Sequence, residues 1–164
     1  MTFLSASIKT PVGLIQLIAD EHVLLGASFG PMDFVIDSLD GVDVKQKINP
    51  VKRIPVLSDL IDDYFDGDIE AINAIAVRQP GAPFSQAAWK AMRKIKAGKV
   101  ISYTDLAGRA GSPAAVRAAG SACAKNAIVL VVPCHRVVKT GGALGNYAYG
   151  LDKKEWLLRH EGAL

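Results

Sequence analysis

A short segment rich in proline and glycine, Gln79-Pro-Gly-Ala-Pro83, separates two halves of opposite charge in this chain of 164 residues. Residues 1–80 carry 6 lysines and arginines against 12 acidic residues, whereas residues 81–164 carry 13 against 4. Short segments rich in proline and glycine, such as residues 79–83, are typical of domain boundaries. The sequence therefore predicts two small domains, over residues 1–80 and 81–164, and the basic domain is expected to meet a polyanion such as nucleic acid.

The composition favours a packed protein and argues against several other classes. Half of the residues are hydrophobic, which favours a core and not disorder. No apolar run approaches the ~20 residues of a membrane-spanning helix, and the N-terminus lacks the pattern of a signal peptide. Two cysteines, Cys123 and Cys134, suit a reducing cytoplasmic compartment, although counting alone leaves a bridge between them open. The three histidines have no metal-binding spacing, so no metal site is predicted.

The first half is predicted to combine a small antiparallel sheet with short helices. Apolar runs separated by turn residues favour three sequential strands, Phe3–Ile8, Leu14–Ile18 and Val23–Phe29. The remaining expectations for this half are a helix over 31–39, a loop over 40–54, an amphipathic helix over 55–65 that begins at Pro55, and a strand over Ile72–Val77.

The second half is predicted to be mainly helical. The expected helices span 85–95, 103–110 after a cap at Ser102, 114–124 after Ser112-Pro113, and 152–160 after a cap at Asp152. The turn Ala110-Gly-Ser-Pro113 joins two of them as a helix-turn-helix. The apolar run 127–132 predicts a buried strand. The fold class is therefore α+β, with a mainly helical, winged-helix-like second domain.

The helix over 114–124 consists almost entirely of small residues around one long cation, Arg117. Small side chains allow either tight packing against another helix or close approach to nucleic acid. A helix that reads bases in the major groove normally carries several arginine, asparagine or glutamine side chains. Sequence-specific base recognition is therefore not expected here.

The sequence Pro133-Cys-His-Arg-Val-Val138 places a thiol and an imidazole side by side after the apolar run. A thiol with a pKa of about 8.5 needs a base to become an efficient nucleophile near neutral pH. Adjacent side chains on a strand point to opposite faces, so His135 would need a bridging water or a local bend to serve Cys134. Burial as an inert core thiol is the alternative interpretation. A base also needs an acceptor on its second nitrogen, and spacing leaves three candidates open: Glu161, Glu155 and Asp152.

The same residues resemble the active-site signature of the O6-alkylguanine-DNA alkyltransferases. Asn126 precedes the Pro-Cys-His-Arg motif as it does in that family. The resemblance extends over almost the whole chain and includes Thr10–Gly13, Phe84–Trp89, Ser102–Ala107, Ala115–Gly120, Gly145–Tyr147 and Lys154–Glu161.

The resemblance implies a ribonuclease H-like domain over 1–80 and a DNA-binding, alkyl-accepting domain over 81–164. It also implies repair by direct reversal, in which a cysteine thiolate takes the alkyl group from O6-alkylguanine, or from O4-alkylthymine, in double-stranded DNA. The alkyl group stays on the protein, so each molecule, expected to be a monomer, reacts once and uses no cofactor. Eversion of the target nucleotide and insertion of a side chain from the minor groove suit a small-residue helix with one arginine.

The resemblance also implies roles for individual residues. Cys134 would be the acceptor, His135 a water-mediated base and Glu161 its orienting partner, while Asn126 would brace the helix-turn-helix against the active-site segment. Tyr103 would help to rotate the nucleotide, Arg117 would fill the vacated stack, and Tyr147 would line the guanine pocket and assist the departing base. The other implied contacts are Ala118, Gly120 and Ser102 with DNA, and Val137, Ala148 and Cys123 in the pocket.

Two features distinguish alternatives to this function. A non-catalytic sensor of alkylguanine would share the fold but lack the reactive cysteine, and a cysteine hydrolase would need an oxyanion hole and many turnovers.

The chain also departs from the family pattern, because Ile95-Lys-Ala-Gly98 lacks the usual proline and Ala127 replaces the proline after Asn126. The first half has no cysteines, so it cannot build the structural zinc site of some family members.

Overall fold

In the computed structural model, which describes residues 2–164, the chain forms two units. The first unit comprises the chain up to Pro80 together with Ala127–Val131. The second unit comprises Gly81–Asn126 and Val132–Leu164. The short segment 127–131 thus belongs to the first unit although it follows the predicted boundary in sequence. None of the helices in the described part of the chain is long and apolar enough to cross a bilayer.

The first unit is built on a five-stranded sheet. Its strands are β1 (Thr2–Thr10), β2 (Gly13–Asp20), β3 (Val23–Ser28), β4 (Lys47–Pro50) and β5 (Ala76–Val77), in the order β4-β1-β2-β3-β5. The three long strands pair antiparallel, as their apolar pattern predicts, whereas β4 and β5 add parallel edges. The sheet is therefore mixed.

Two α-helices accompany this sheet, α1 (Met32–Asp37) and α2 (Leu57–Phe65). Residues Phe3, Ile18, Leu25, Val35 and Leu39 form one buried apolar cluster of this unit. Two local predictions were wrong. The expected loop 40–54 contains a 3₁₀ turn and β4, and the expected strand 72–77 is a 3₁₀ turn followed by the two residues of β5. Both edge strands are defined by pairing with a distant strand, which local sequence does not record.

The second unit contains four α-helices and a small two-stranded sheet. The helices are α3 (Pro83–Met92), α4 (Tyr103–Arg109), α5 (Val116–Ala124) and α6 (Leu151–His160); β6 (Ile101–Ser102) pairs parallel with β7 (Val137–Val138). The predicted cap of α4 is confirmed, because the Ser102 hydroxyl accepts a hydrogen bond from the Asp105 N–H at 3.0 Å.

The starts predicted for α5 and α6 were wrong. The Ala115 N–H donates to the Ser112 carbonyl at 2.9 Å, which closes a separate turn around Pro113 before α5 begins at Val116. Helix α6 begins at Leu151, and Gly150, not Asp152, is its cap. The backbone at Gly150 has φ 104°, a conformation that glycine adopts without a steric cost.

The apolar run 127–132 does not form the predicted strand. Ile128 makes an isolated parallel bridge to Ala27, held by two backbone hydrogen bonds from and to Ala27. The chain then turns at once, since the Val131 N–H donates to the Val129 carbonyl at 2.8 Å around Leu130, whose φ is 73°. The run is buried, as predicted, but this tight turn prevents a strand ladder from continuing.

Candidate active site

Cys134 lies on a 3₁₀ turn, Cys134–Arg136, in the second unit. Pro133 has φ −84° and ψ 68°, which lets the Cys134 N–H donate to the Val132 carbonyl at 2.8 Å. The Arg136 N–H then donates to the Pro133 carbonyl at 3.0 Å. The strand geometry expected for Cys134 and His135 was therefore wrong, and the local bend that it required is present.

His135 and Arg136 converge on one carboxylate at the end of α6. His135 Nε2 lies 2.8 Å from Glu161 Oε2, and Arg136 reaches the two Glu161 oxygens at 2.8 and 3.0 Å. Arg136 also donates to the Ile95 carbonyl at 2.7 Å. The side chains of His135 and Glu161 are fully buried. The structure thus brings Glu161 to His135, whereas Glu155 pairs with Arg159 on the exposed surface and Asp152 is exposed.

The charge state of this cluster follows from its partners. Burial alone would raise the pKa of Glu161, but His135 and Arg136 outweigh it and hold this pKa well below its usual range. Glu161 is therefore an anion that can only accept, so His135 Nε2 carries the proton that it donates. Burial lowers the pKa of His135 despite the attraction of Glu161, so the imidazole is neutral. Its other nitrogen, Nδ1, is buried without a hydrogen-bond partner in residues 2–164 and keeps a basic lone pair.

Cys134 is buried, with 7% of the residue exposed, and the surroundings of its thiol act on its pKa in two directions. Burial raises this pKa, whereas the Asn126 side chain, the Lys154 cation and the Cys134 backbone N–H lower it. The net direction is upward, so the thiol is protonated near neutral pH. A base must take its proton before the sulfur can act as a nucleophile.

Asn126 joins the end of the helix-turn-helix to the segment that leads into Cys134. Its side-chain amide donates to the Val132 carbonyl at 2.7 Å, and its backbone N–H donates to the Cys123 carbonyl at 3.3 Å. The residue therefore contacts both the last turn of α5 and the turn before Cys134.

Lys154 is a buried cation that was not predicted from the sequence. Its ammonium group donates to the carbonyls of Val137, at 2.7 Å, and Asn146, at 3.1 Å. Burial lowers the pKa of Lys154, while Cys134 and Cys123 favour its charged form. A signal was present in the sequence, because Lys154 shares the inward face of α6 with Leu157 and Leu158 at helical spacing.

The glycine-rich loop before α6 lies against Tyr103, the first residue of α4. The Asn146 backbone hydrogen-bonds to Tyr103, whose pKa is raised chiefly by burial. A β-carbon on Gly145 would lie 2.9 Å from the Tyr103 hydroxyl oxygen, and Gly145 has φ 78°. Both facts require glycine at this close approach. In the same loop the rings of Tyr147 and Tyr149 meet edge to face, with centroids 5.7 Å apart.

Helix α5 serves packing on one face and is open on the other. Ala119 and Ala122 are buried, and the Ala122 carbonyl accepts a hydrogen bond from the Trp89 indole at 2.9 Å. Arg117 and Ala118 are exposed. Helix packing therefore explains the small residues on the buried face, and close approach to nucleic acid stays a prediction for the exposed residues.

The remaining candidate residues are distributed around the same unit. Cys123 is partly buried, and burial raises its pKa to about 12. Val137 is fully buried in β7, whereas Ala148 is exposed. A β-carbon on Gly120 would meet nothing within 4 Å, so packing does not require glycine there. Among residues 2–164 there is no cluster of three or more side chains able to hold a metal ion.

Comparison with known proteins gives one consistent result. The family model described as "6-O-methylguanine DNA methyltransferase, DNA binding domain" matches residues 83–163. The methylated-DNA–protein-cysteine methyltransferase of Shigella flexneri is 37% identical over 169 residues, which cover 100% of this chain and 98% of the relative. The human protein of the same name is 53% identical over 77 residues, which cover 47% of this chain and 37% of the relative.

A solved structure extends the likeness to the fold. The crystal structure of Mycobacterium tuberculosis OGT in complex with DNA superposes with a TM-score of 0.79 at 28% identity, and the match covers 98% of this chain and 93% of that one. The α+β fold, with an N-terminal sheet and a helical C-terminal portion, is the one expected from the sequence. Identity of 37% over nearly the full length of a relative shows that this chain belongs to the family of methylated-DNA–protein-cysteine methyltransferases.

Proposed function

We propose that Cys134 is the alkyl acceptor of a DNA-repair methyltransferase that reverses O6-alkylation of guanine in double-stranded DNA. The observation that carries the proposal is a thiol and a neutral imidazole on consecutive residues of one buried 3₁₀ turn. His135 is fixed by Glu161 through Nε2, and its Nδ1 lone pair has no other hydrogen-bond partner in residues 2–164.

The proposed reaction is a single displacement. The thiol proton passes through a water molecule to His135 Nδ1, and the imidazolium that forms is stabilised by the Glu161 carboxylate. The sulfur then forms a bond to the alkyl carbon while the bond from that carbon to guanine O6 breaks, and the electron pair stays on O6. Tyr147 assists the departing guanine. The product is a thioether, which has no acidic proton to lose and no route back, so each molecule acts once.

The DNA contacts follow from the open face of α5. Arg117 enters the base stack from the minor groove and replaces the everted nucleotide, with Ala118, Gly120, Ser102 and Tyr103 near the backbone. The everted base enters a pocket lined by Tyr147, Val137, Ala148 and Cys123, which also admits O4-alkylthymine. Binding is independent of sequence because the open face offers one long cation and no set of base-reading side chains.

The proposal needs no cofactor, since a thiol, a base and an electrophilic alkyl carbon complete the reaction. It assigns the reaction to a monomer, because every residue with a role comes from one chain. We also infer a cytoplasmic location, because Cys123 and Cys134 are both free thiols and a reducing compartment keeps them so.

The Cys134→Ala variant tests the proposal. It is expected to transfer no labelled methyl group from lesion-bearing duplex DNA and to keep its affinity for that DNA, because the sulfur is removed without changing the DNA-binding surface. The matched control is Cys123→Ala, which is expected to end at the same one methyl group per protein molecule, because it leaves the accepting sulfur of Cys134 and its neighbour His135 in place. Transfer to the Cys134→Ala protein would refute the assignment.

A further inference from the structure

A cavity of about 530 Å³ lies on the surface of the second unit, and three cations open onto it. Lys90 and Lys94 come from the end of α3 and the turn that follows it, and Arg109 is the last residue of α4. Ala87 and Ala91 complete the lining. Because alanine side chains are short, the three long side chains surround a concave floor.

None of these three cations makes an ion pair with an acidic residue within 4.0 Å in the part of the chain described. Each lies near the carboxyl end of a helix, where a positive charge gains about 0.3–1 kcal/mol from the helix dipole. That interaction explains one cation at each helix end. It does not explain why three like charges open onto one concavity, where the positive field is focused and a bound anion is attracted.

The cavity faces away from the side of α3 that packs on α5. Trp89 on that side donates to the Ala122 carbonyl of α5. At 100° per residue, the cavity-lining residues Ala87 and Ala91 lie about 160° around α3 from Trp89, on its opposite side, and Lys90 lies about 100° from Trp89. A duplex that lies on the open face of α5 is therefore on a different side of this unit from the cavity.

We propose that the cavity binds a backbone phosphate of a second DNA segment while the first segment lies on α5. Arginine and lysine donate charge-assisted hydrogen bonds to phosphate oxygens, and Lys90, Lys94 and Arg109 supply such donors around one cavity. The inference rests on the DNA binding of the proposed function and adds to it a means of search. The protein passes directly from one duplex segment to another without first dissociating into solution.

The kinetic test measures dissociation of the protein from a labelled lesion-free duplex at increasing concentrations of unlabelled duplex. For the unaltered protein the observed rate is expected to rise with competitor concentration, because the competitor engages the cavity before the first duplex leaves. In the triple variant Lys90→Gln, Lys94→Gln, Arg109→Gln the rate is expected to become independent of competitor. In excess DNA, the logarithm of the DNA-binding constant falls with the logarithm of the salt concentration. The slope of this line is expected to be shallower in the triple variant than in the unaltered protein, by roughly 0.9 for each phosphate that the variant no longer binds.

The matched control removes three exposed lysines from the first unit, as Lys9→Gln, Lys47→Gln, Lys52→Gln. It lowers the net charge equally and is expected to keep the dependence on competitor. The inference is overturned if both triple variants behave alike, or if the unaltered protein shows no dependence on competitor.

A second copy of the chain is the other anionic partner to consider, because residues 1–80 carry a net negative charge. Sedimentation of the protein without DNA distinguishes this partner from DNA. If the unaltered protein self-associates and the triple variant of Lys90, Lys94 and Arg109 does not, the cavity binds another protein molecule and the inference is overturned. Mass spectrometry of the unaltered protein and of both triple variants, after incubation with lesion-bearing DNA, measures methylation of Cys134. This measurement tests the proposed alkyl transfer separately from the proposed phosphate binding. Absence of methylation in the unaltered protein would refute the proposed function whatever the cavity binds.

Discussion

At the scale of single residues, Glu161 determines the properties of the candidate site. Both of its oxygens are occupied, one by Arg136 and the other by Arg136 and His135 together. The same carboxylate therefore orients the imidazole and neutralises a guanidinium that is 2% exposed. Removal of one partner from a buried ionic cluster leaves an uncompensated charge, which costs far more than loss of a surface pair.

We expect Glu161→Gln to lower the free energy of unfolding by about 3–5 kcal/mol at neutral pH. The folded-state pKa of Glu161 is depressed below its ordinary value of 4.5, so its stabilisation is complete above that value and is lost as the pH falls toward the folded-state pKa. The difference between the variant and the unaltered protein should accordingly narrow below pH 4.5. Denaturant unfolding across this pH range measures both effects.

Glu155→Gln is the matched control, because Glu155 pairs with Arg159 at exposed positions of the same helix. Its effect should stay within about 1 kcal/mol, as is usual for surface ion pairs. Equal losses in the two variants would contradict the structural role assigned to Glu161.

Lys154→Met tests the electrostatic role of the buried cation. The variant removes the charge that lowers the pKa of Cys134 and leaves the carbonyls of Val137 and Asn146 without this donor. We expect methyl transfer to be slower at neutral pH and the pH–rate profile to shift toward higher pH. An unsatisfied buried acceptor should also reduce stability by about 1–3 kcal/mol.

The control for this substitution is Lys153→Met at the neighbouring position, which makes neither hydrogen bond and should leave the pH–rate profile in place. If Lys154→Met slows transfer without moving that profile, Lys154 supports the loop and does not act on the thiol.

At the scale of elements, the parts that were predictable depend on local interactions. Ser102 caps α4 through a hydrogen bond three residues away, and apolar runs bounded by turn residues predict β1, β2 and β3. The errors arose where a distant partner decides the structure. Strands β4 and β5 exist only through pairing with β1 and β3, and the buried run 127–132 is shaped by Ala27 and by the turn at Leu130.

The candidate site divides in the same way. Cys134 and His135 were predicted as site residues because they are consecutive in the Pro-Cys-His-Arg motif. Spacing alone could not decide whether Glu161, Glu155 or Asp152 is the acidic partner of His135. That choice required the resemblance to a family, and the distance from His135 to Glu161 is a tertiary fact. Lys154 was missed because a lysine on an amphipathic helix is normally solvated, and its burial becomes visible only when two backbone carbonyls lie within reach.

Helix α5 supplies a prediction about DNA engagement. Arg117→Ala should weaken repair of lesions in duplex DNA more than reaction with a free base such as O6-benzylguanine, because only the duplex requires a side chain to fill the vacated stack. Rates of Cys134 modification by each substrate provide the comparison. The control is Lys125→Ala, which removes one exposed charge just after the same helix and should affect duplex repair less.

Equal loss of reaction with duplex and free base in Arg117→Ala would instead assign Arg117 to the packing of α5. In that case, the free energy of unfolding would fall as well.

At the scale of the whole molecule, the distribution of charge agrees with the assignment of chemistry. Residues 81–164 hold 13 of the 19 lysines and arginines together with every candidate site residue. Positive charge of this extent attracts DNA without regard to sequence, which suits a protein whose target is a rare modified base in any context. The proposed alkyl acceptor, Cys134, therefore lies in the basic half of the chain.

The central claim is that one sulfur atom accepts one alkyl group and keeps it. The most direct measurement is intact-protein mass spectrometry, followed by peptide mapping, after incubation with an excess of duplex DNA that contains O6-methylguanine. The account predicts a gain of one CH₂ unit per protein molecule, located on the peptide that contains Cys134, with repair ending at one equivalent. An unmodified protein that remains bound to the lesion, or repair that continues past one equivalent, would contradict it.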